Sequence, residues 1–240
     1  MSEKVKGKCK YCGKEFTRGY IIRHLASCKE RKQRLEGEAG KKTCGYFELL
    51  ITAKYDSDYW LVIEVKDTAF LKDIDEFLRD IWLECCGHLS AFEINGVSYE
   101  SFPDPDPFWG REAKSMNCRL KTVLQKGMRI GYEYDFGSTT ELMIEVKDYR
   151  FGNDGKEKLK ILSRNNAVTY MCGRCGKREA VYINSYQMYD ENPFWCKECS
   201  KQVEPEENYL LNVCNSPRMG VCAYEGSDVY PEQFVPDTEV

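Results

Sequence analysis

Seven of the thirteen cysteines and one of the two histidines fall into two four-residue sets with metal-ligand spacing. The first reads C-x2-C-x11-H-x3-C and comprises Cys9, Cys12, His24 and Cys28. A C-x2-C pair supplies two thiolates from one tight turn. His24 and Cys28 are four residues apart, so on a helix they share one face. Phe16 and Ile21 stand where a small finger places its core. The second set reads C-x2-C-x20-C-x2-C and comprises Cys172, Cys175, Cys196 and Cys199, the spacing of a zinc ribbon. Gly173 and Gly176 permit the turns of its first pair. Each set fills all four positions of a tetrahedral ion, so two structural Zn2+ ions with no open catalytic position are expected. Iron in a rubredoxin-like centre fits the same four thiolates of the second set. Disulfides are the competing use of many cysteines. The odd count and the charged opening MSEKVKGKCK, which lacks a secretory apolar stretch, favour metal in a cytoplasmic protein.

The order of the remaining patterns predicts an α+β chain in three parts. Residues 1–36 read as a zinc finger with a helical extension and 37–43 as a linker with polar composition. Residues 44–151 read as a β-grasp-like domain. Strands are expected at 47–55 and 59–66, and an amphipathic helix over 68–86 capped by Asp67 or Thr68. A hairpin turning at Asn95-Gly96 follows, then strands at 129–136 and 141–151. The stretch 102–110 carries three prolines and reads as a loop. Residues 152–165 read as a charged connector, 166–226 as the ribbon with the segment NSPRMGVC, and 227–240 as an acidic tail. No run reaches the roughly 18 apolar residues of a membrane helix.

Charge is unevenly spread over a chain of net charge −4. Residues 1–42 carry 13 Lys and Arg against 5 Asp and Glu, whereas 200–240 carry 2 against 8. A basic head of this kind suits an anionic partner, nucleic acid first, through Arg18, Tyr20, Arg23, Arg31, Lys32 and Arg34. One finger covers only about three base pairs, so a protein–protein adaptor that docks partners through both zinc modules is the alternative. The sequence leaves the oligomeric state open.

No P-loop, Ser–His–Asp set or HExxH is present, so a non-catalytic protein is expected. An enzyme would have to use a cleft around Asp135, Tyr132 and His88. Cys85 and Cys86 close the long helix and read as a helix end followed by a turn histidine. A Cys–His nucleophile built from them with His88 is the sharper reading. Cys214 and Cys222 are too far apart for a knuckle.

The stretch from YWLVIEVKDTAF to GMRIGYEYDFGSTTELMIEV resembles the plasmid-borne open-reading-frame-three-like family. Its members are often labelled insertion-element passenger proteins of TnpR type. Leu71, Phe77 to Trp82, His88, Phe92, Tyr132, Tyr134 and Asp135 to Gly137 carry the resemblance, which spans about residues 44–151. Relatives also carry a closing ribbon and a segment like NSPRMGVCAYEG. The resemblance implies a β-grasp type of fold and a mobile-element setting, and it assigns no activity. Where the family continues YDFG with an Asp, a Trp and a His, this chain has Ser138, Thr139, Thr140, Glu141 and Leu142.

Overall fold

The computed structural model of the protein describes residues 4–37, 43–104, 112–188, 192–202 and 209–239. Most of the expected linker and most of the proline-bearing loop lie outside these residues. Two compact units are present. The first comprises Met1–Phe77, Leu89–Asn166 and Phe234–Val240; the second comprises Leu78–His88 and Ala167–Gln233.

The first unit is built on a ten-stranded sheet. Its strands are β1 (Lys6–Cys9), β2 (Glu15–Thr17), β3 (Thr43–Ala53), β4 (Trp60–Lys66) and β5 (Ser90–Ile94). They continue with β6 (Val97–Glu100), β7 (Lys114–Ser115), β8 (Arg129–Tyr134), β9 (Thr140–Asn153) and β10 (Leu159–Asn165). The order across the sheet is β2-β1-β10-β4-β3-β9-β8-β5-β6-β7. Every pairing is antiparallel except β6 with β7. Hairpin connection explains this: β3–β4, β5–β6 and β8–β9 are each joined by short turns. At Asn95 and Gly96 both φ values are positive, 52° and 77°, as the right-handed twist of a two-residue hairpin demands. The class is therefore α+β, mostly sheet.

Two sequence expectations are corrected here. Residues 152–165 are not a mere connector, because Leu159–Asn165 forms β10, inserted between β1 and β4. Its charged residues at the near end conceal a C-terminal half, Leu162 to Asn165, that is buried throughout. The finger is likewise not separated from the middle domain: β1 pairs with β10 from Gly7↔Asn165 to Cys9↔Ser163 and so extends the same sheet.

Strand β4 alternates in sequence like a half-buried strand, yet Trp60 to Val65 are all buried. Trp60 and Val62 join Leu50 and Leu162 beneath helix α1 (Arg18–Ser27), which contributes Ile21 and Leu25. Leu61, Ile63 and Val65 alternate onto the opposite face, also fully buried. The finger thus supplies one cover of the sheet. Helix α2 (Lys29–Glu36) follows after Cys28.

Helix α3 (Leu71–Leu78) is shorter than expected and passes into a π-helical turn over Arg79–Leu83. Its start is held by Asp73, whose Oδ2 accepts from the Phe70 N–H at 2.7 Å; neither predicted cap does this. Buried Asp75 projects from it and accepts from Ser90 Oγ of β5 at 2.6 Å and from Tyr132 Oη of β8 at 2.7 Å. A short helix α4 (Leu120–Val123) lies in the basic stretch before β8.

In the second unit, β11 (Tyr182–Asn184), β12 (Phe194–Trp195) and β13 (Leu210–Asn212) form an antiparallel sheet in the order β12-β11-β13, with helix α5 (Lys197–Ser200) after β12. Ile183, Leu211, Cys214, Met219 and Tyr224 make its core.

Candidate metal centres

All thirteen cysteines are thiols, with no disulfide. The four ligand atoms of Cys9, Cys12, His24 and Cys28 lie within 4.8 Å of one another, and so do those of Cys172, Cys175, Cys196 and Cys199. Thiolates at about 2.3 Å from a tetrahedral zinc would be about 3.8 Å apart, so both sets need only a small contraction to close on an ion.

In the first centre, Cys9 ends β1 and its carbonyl accepts from the Gly13 N–H at 2.9 Å, while the Cys9 N–H donates to Lys14 O at 2.9 Å. Gly13 takes φ +68°, the left-handed conformation that turns the chain back. Helix α1 then presents His24, whose Nε2 lies 3.3 Å from Cys12 Sγ. Phe16 stacks on the His24 ring at 4.0 Å and fixes its plane. Burial pushes the Cys9 thiol up to about 12, with Cys12 and Cys28 adding to the rise. Burial also lowers His24, which keeps its imidazole neutral as a ligand must be.

In the second centre, the Cys172 carbonyl accepts from the Gly176 N–H at 2.8 Å, and the Cys196 carbonyl accepts from Ser200 N–H at 3.0 Å at the start of α5. The two knuckles are tied by the Gly173 N–H, which donates to Phe194 O at 2.8 Å. Cys175 Sγ and Cys196 Sγ are 4.0 Å apart. Burial would raise Cys172, but backbone N–H groups of Cys175, Cys196 and Arg174 outweigh it and hold the thiol down at about 6. Such N–H donors favour a thiolate. The Arg174 guanidinium covers the Trp195 ring at 4.3 Å, and Tyr170 stacks on Phe194 at 3.9 Å.

The basic residues of the head have different fates. Arg31 is corrected as a nucleic-acid contact: it is only 6% exposed, and its guanidinium lies 2.8 Å from Glu48 and 3.1 Å from Glu64. Two carboxylates buried in the apolar strands β3 and β4 require a cation, and α2 delivers it from above. Glu64 also pairs with Arg150 at 2.7 Å and Lys160 at 2.9 Å. Burial pushes the Glu64 carboxyl up, but these cations outweigh it and hold it at about 2. The sequence signal for this pairing is acidic residues inside strand patterns, in FELLI and LVIEV.

Arg34 is exposed and lies 3.5 Å from Asp237. Lys8 meets Glu239 at 2.8 Å and Lys10 meets Asp237 at 2.7 Å. Tyr20, Arg23 and Lys32 are exposed and Arg18 is half-buried. Arg18, Tyr20 and Arg23 share a cleft of about 410 Å3 with Lys4, Asp58 and Trp60. Arg23 lies over the Tyr20 ring at 5.2 Å.

Of the residues around the conceivable enzymatic cleft, Tyr132 is buried with its hydroxyl on Asp75. Asp135 is buried at φ +64°, and its Oδ1 accepts from the Gly137 N–H at 3.0 Å. Asp75 belongs to no motif; its place on the buried face of an amphipathic helix is the one sequence signal it carries.

No helix among the described residues is long and apolar enough to cross a membrane. No curated protein matches the chain. Among solved structures it is similar to a protein of unknown function from Methanosarcina mazei Go1, at 17% identity and a TM-score of 0.42, covering 50% of this chain and 69% of that one. The sequence model of the plasmid pRiA4b ORF-3-like proteins matches residues 49–171, a span that leaves both four-ligand clusters outside it. With half of its length inside that match, the chain belongs to the plasmid pRiA4b ORF-3-like protein family.

Proposed function

We propose that this is a two-zinc, non-catalytic, nucleic-acid-associated protein of mobile-element type, whose β-grasp-like sheet acts as the scaffold. Zinc is the ion that suits one set of three cysteines with a histidine and another of four cysteines. Complete protein ligation gives both ions a structural role. The carrying observation for the partner is the exposed Arg23–Tyr20 pair in a cleft with Arg18 and Lys4. A guanidinium held over an aromatic ring offers charge to a phosphate and a flat face to a base. Asp58 in the same cleft confines the anion to its basic side.

The contact set is therefore narrower than the whole basic head. Arg18, Tyr20, Arg23 and Lys32 carry it, and Arg34 contributes at the margin. Labelled duplex and single-stranded DNA and RNA should bind at about 50–100 mM salt, with affinity falling as salt rises. Replacing Arg18 and Arg23 together with Ala should weaken binding at least tenfold and flatten the salt slope while both zinc ions stay bound. The adaptor reading has its own support: Lys8, Lys10, Arg31 and Arg34 already have carboxylate partners within the first unit. Probes left unbound by micromolar protein would decide for the adaptor.

A further inference from the structure

A second thiol cluster lies in the second unit, apart from the ribbon. Cys85 Sγ is 3.4 Å from Cys86 Sγ, and Cys86 Sγ is 2.9 Å from His88 Nε2. The three ligand atoms all fall within 4.8 Å of one another. Sequence adjacency brings Cys85 near Cys86, but it does not bring the histidine ring onto the thiols. That takes a built turn. Gly87 adopts φ +76° and its N–H donates to Glu84 Oε1 at 2.6 Å. Arg79 clamps the turn at both ends, reaching Glu84 at 2.8 Å with one nitrogen and the His88 carbonyl at 2.7 Å with the other.

Cys222 arrives from more than a hundred residues later in the sequence. Its Sγ lies within 4.8 Å of a His88 ring nitrogen but does not join Cys85 and Cys86 in one group at that spacing. Cys222 and Ala223 are consecutive non-glycine residues in the left-handed region, at φ +48° and +58°. Such conformations are strained for residues with a β-carbon and persist where the surroundings impose them. Arg218, buried completely, points a guanidinium nitrogen at Cys85 Sγ from 3.6 Å. A donor on the outer side of a thiolate is a common second layer around a metal.

We propose that Cys85, Cys86 and His88 form a third metal site for an ion of the Zn2+ class, with the fourth position open to solvent and Cys222 beside the histidine. Two sulfurs and one imidazole are donors that zinc accepts, and three protein ligands leave one position open. Unlike the finger, this site is open: Cys86 and Cys222 are exposed and Cys85 is half-buried. Its ion should exchange with solution, whereas those of the two closed centres are held. Binding displaces the thiol protons and involves no change of oxidation state.

The test is a Co2+ titration of the full chain, purified under reductant, read by the near-ultraviolet thiolate-to-cobalt band. Ions are counted by mass spectrometry before cobalt is added, so the finger and ribbon are scored separately. One equivalent of cobalt should bind quickly with a thiolate band. Cys86→Ser and His88→Gln should each weaken that binding at least tenfold and leave the initial ion count unchanged, and Cys222→Ser should weaken it less. His88→Gln keeps a polar side chain at a half-buried position and serves if Cys86→Ser fails to fold. A band that is absent, or that is unaltered in both variants, would overturn the site. So would a Cys85–Cys86 disulfide that persists under reductant.

Discussion

Glu64 sits 1% exposed in the middle of β4 and draws Lys160 from β10, Arg150 from β9 and Arg31 from α2. Glu48 has Arg31 at 2.8 Å. Removing one partner of a buried pair leaves an uncompensated charge, so Arg31→Ala should destabilise the first unit by about 3–5 kcal/mol. Urea unfolding would measure it. Acid should act on the same cluster. Glu64 has a folded value of about 2 against 4.5 ordinarily. A depressed carboxyl contributes stability that is whole above its unfolded value and is lost as pH falls through the folded one. Glu48, raised by burial, opposes this in part. Stability should therefore drop between about pH 4.5 and 2, by an amount on the order of 2–3 kcal/mol traceable to Glu64. On the proposed two-zinc reading, metal loss steepens the acid limb as well. The readout is thus the difference in slope between the natural chain and Glu64→Gln, which should fall less steeply. Equal slopes would show that Glu64 is not the group titrating. The ligand sets were legible because their spacing is carried by local sequence. The Arg31 pairing was not, since it joins residues 17 and 33 positions apart through packing that no spacing records.

At the scale of elements, the finger and the sheet share hydrogen bonds and a core. Gly7 of β1 has no room for a β-carbon, which would meet the Arg164 carbonyl and the Trp60 ring. Gly7→Ala should thus part β1 from β10 and raise hydrogen exchange in both strands, with the metal knuckle intact. The paired hairpins were readable from alternation and turn chemistry, and Asn95-Gly96 stands where expected. Strand β10 was hidden because charge at its start outweighed a short apolar run. The end of α3 was hidden because a π-helical turn keeps the helical apolar spacing while changing the hydrogen bonds. Cys172→Ser removes one of the four candidate ligands, and on the two-zinc reading proposed above a core this small depends on its ion. Exchange should rise over 167–202 and 209–213 while β3 and β4 stay protected. Loosening of β4 to the same extent would mean the units unfold as one.

For the whole molecule, the division into units does not follow the order of the chain. The first unit takes residues from the start, the middle and the last few positions, and the second is formed from two separated stretches. Asp237 and Glu239 reach the finger at Lys10 and Lys8, and the Asp237 N–H donates to Lys10 O at 2.8 Å. These pairs are partly exposed and modest in strength. Deleting residues 234–240 should cost about 1–2 kcal/mol and raise exchange at residues 8–14, with no change in β11 to β13. The end of the acidic tail expected at 227–240 thus lies against the finger.

Because those last residues dock on the first finger, the ribosome finishes the first unit only after it has made the second. A nascent chain emerging at roughly 5–20 residues per second leaves β1 and β2 without β10 for several seconds, and without Asp237 for longer still. On the two-zinc reading proposed above, the finger's best available partner during that interval is a metal ion, whose four ligands all lie at or before residue 28. Zinc supply should therefore set the yield of folded protein more strongly during synthesis than after it.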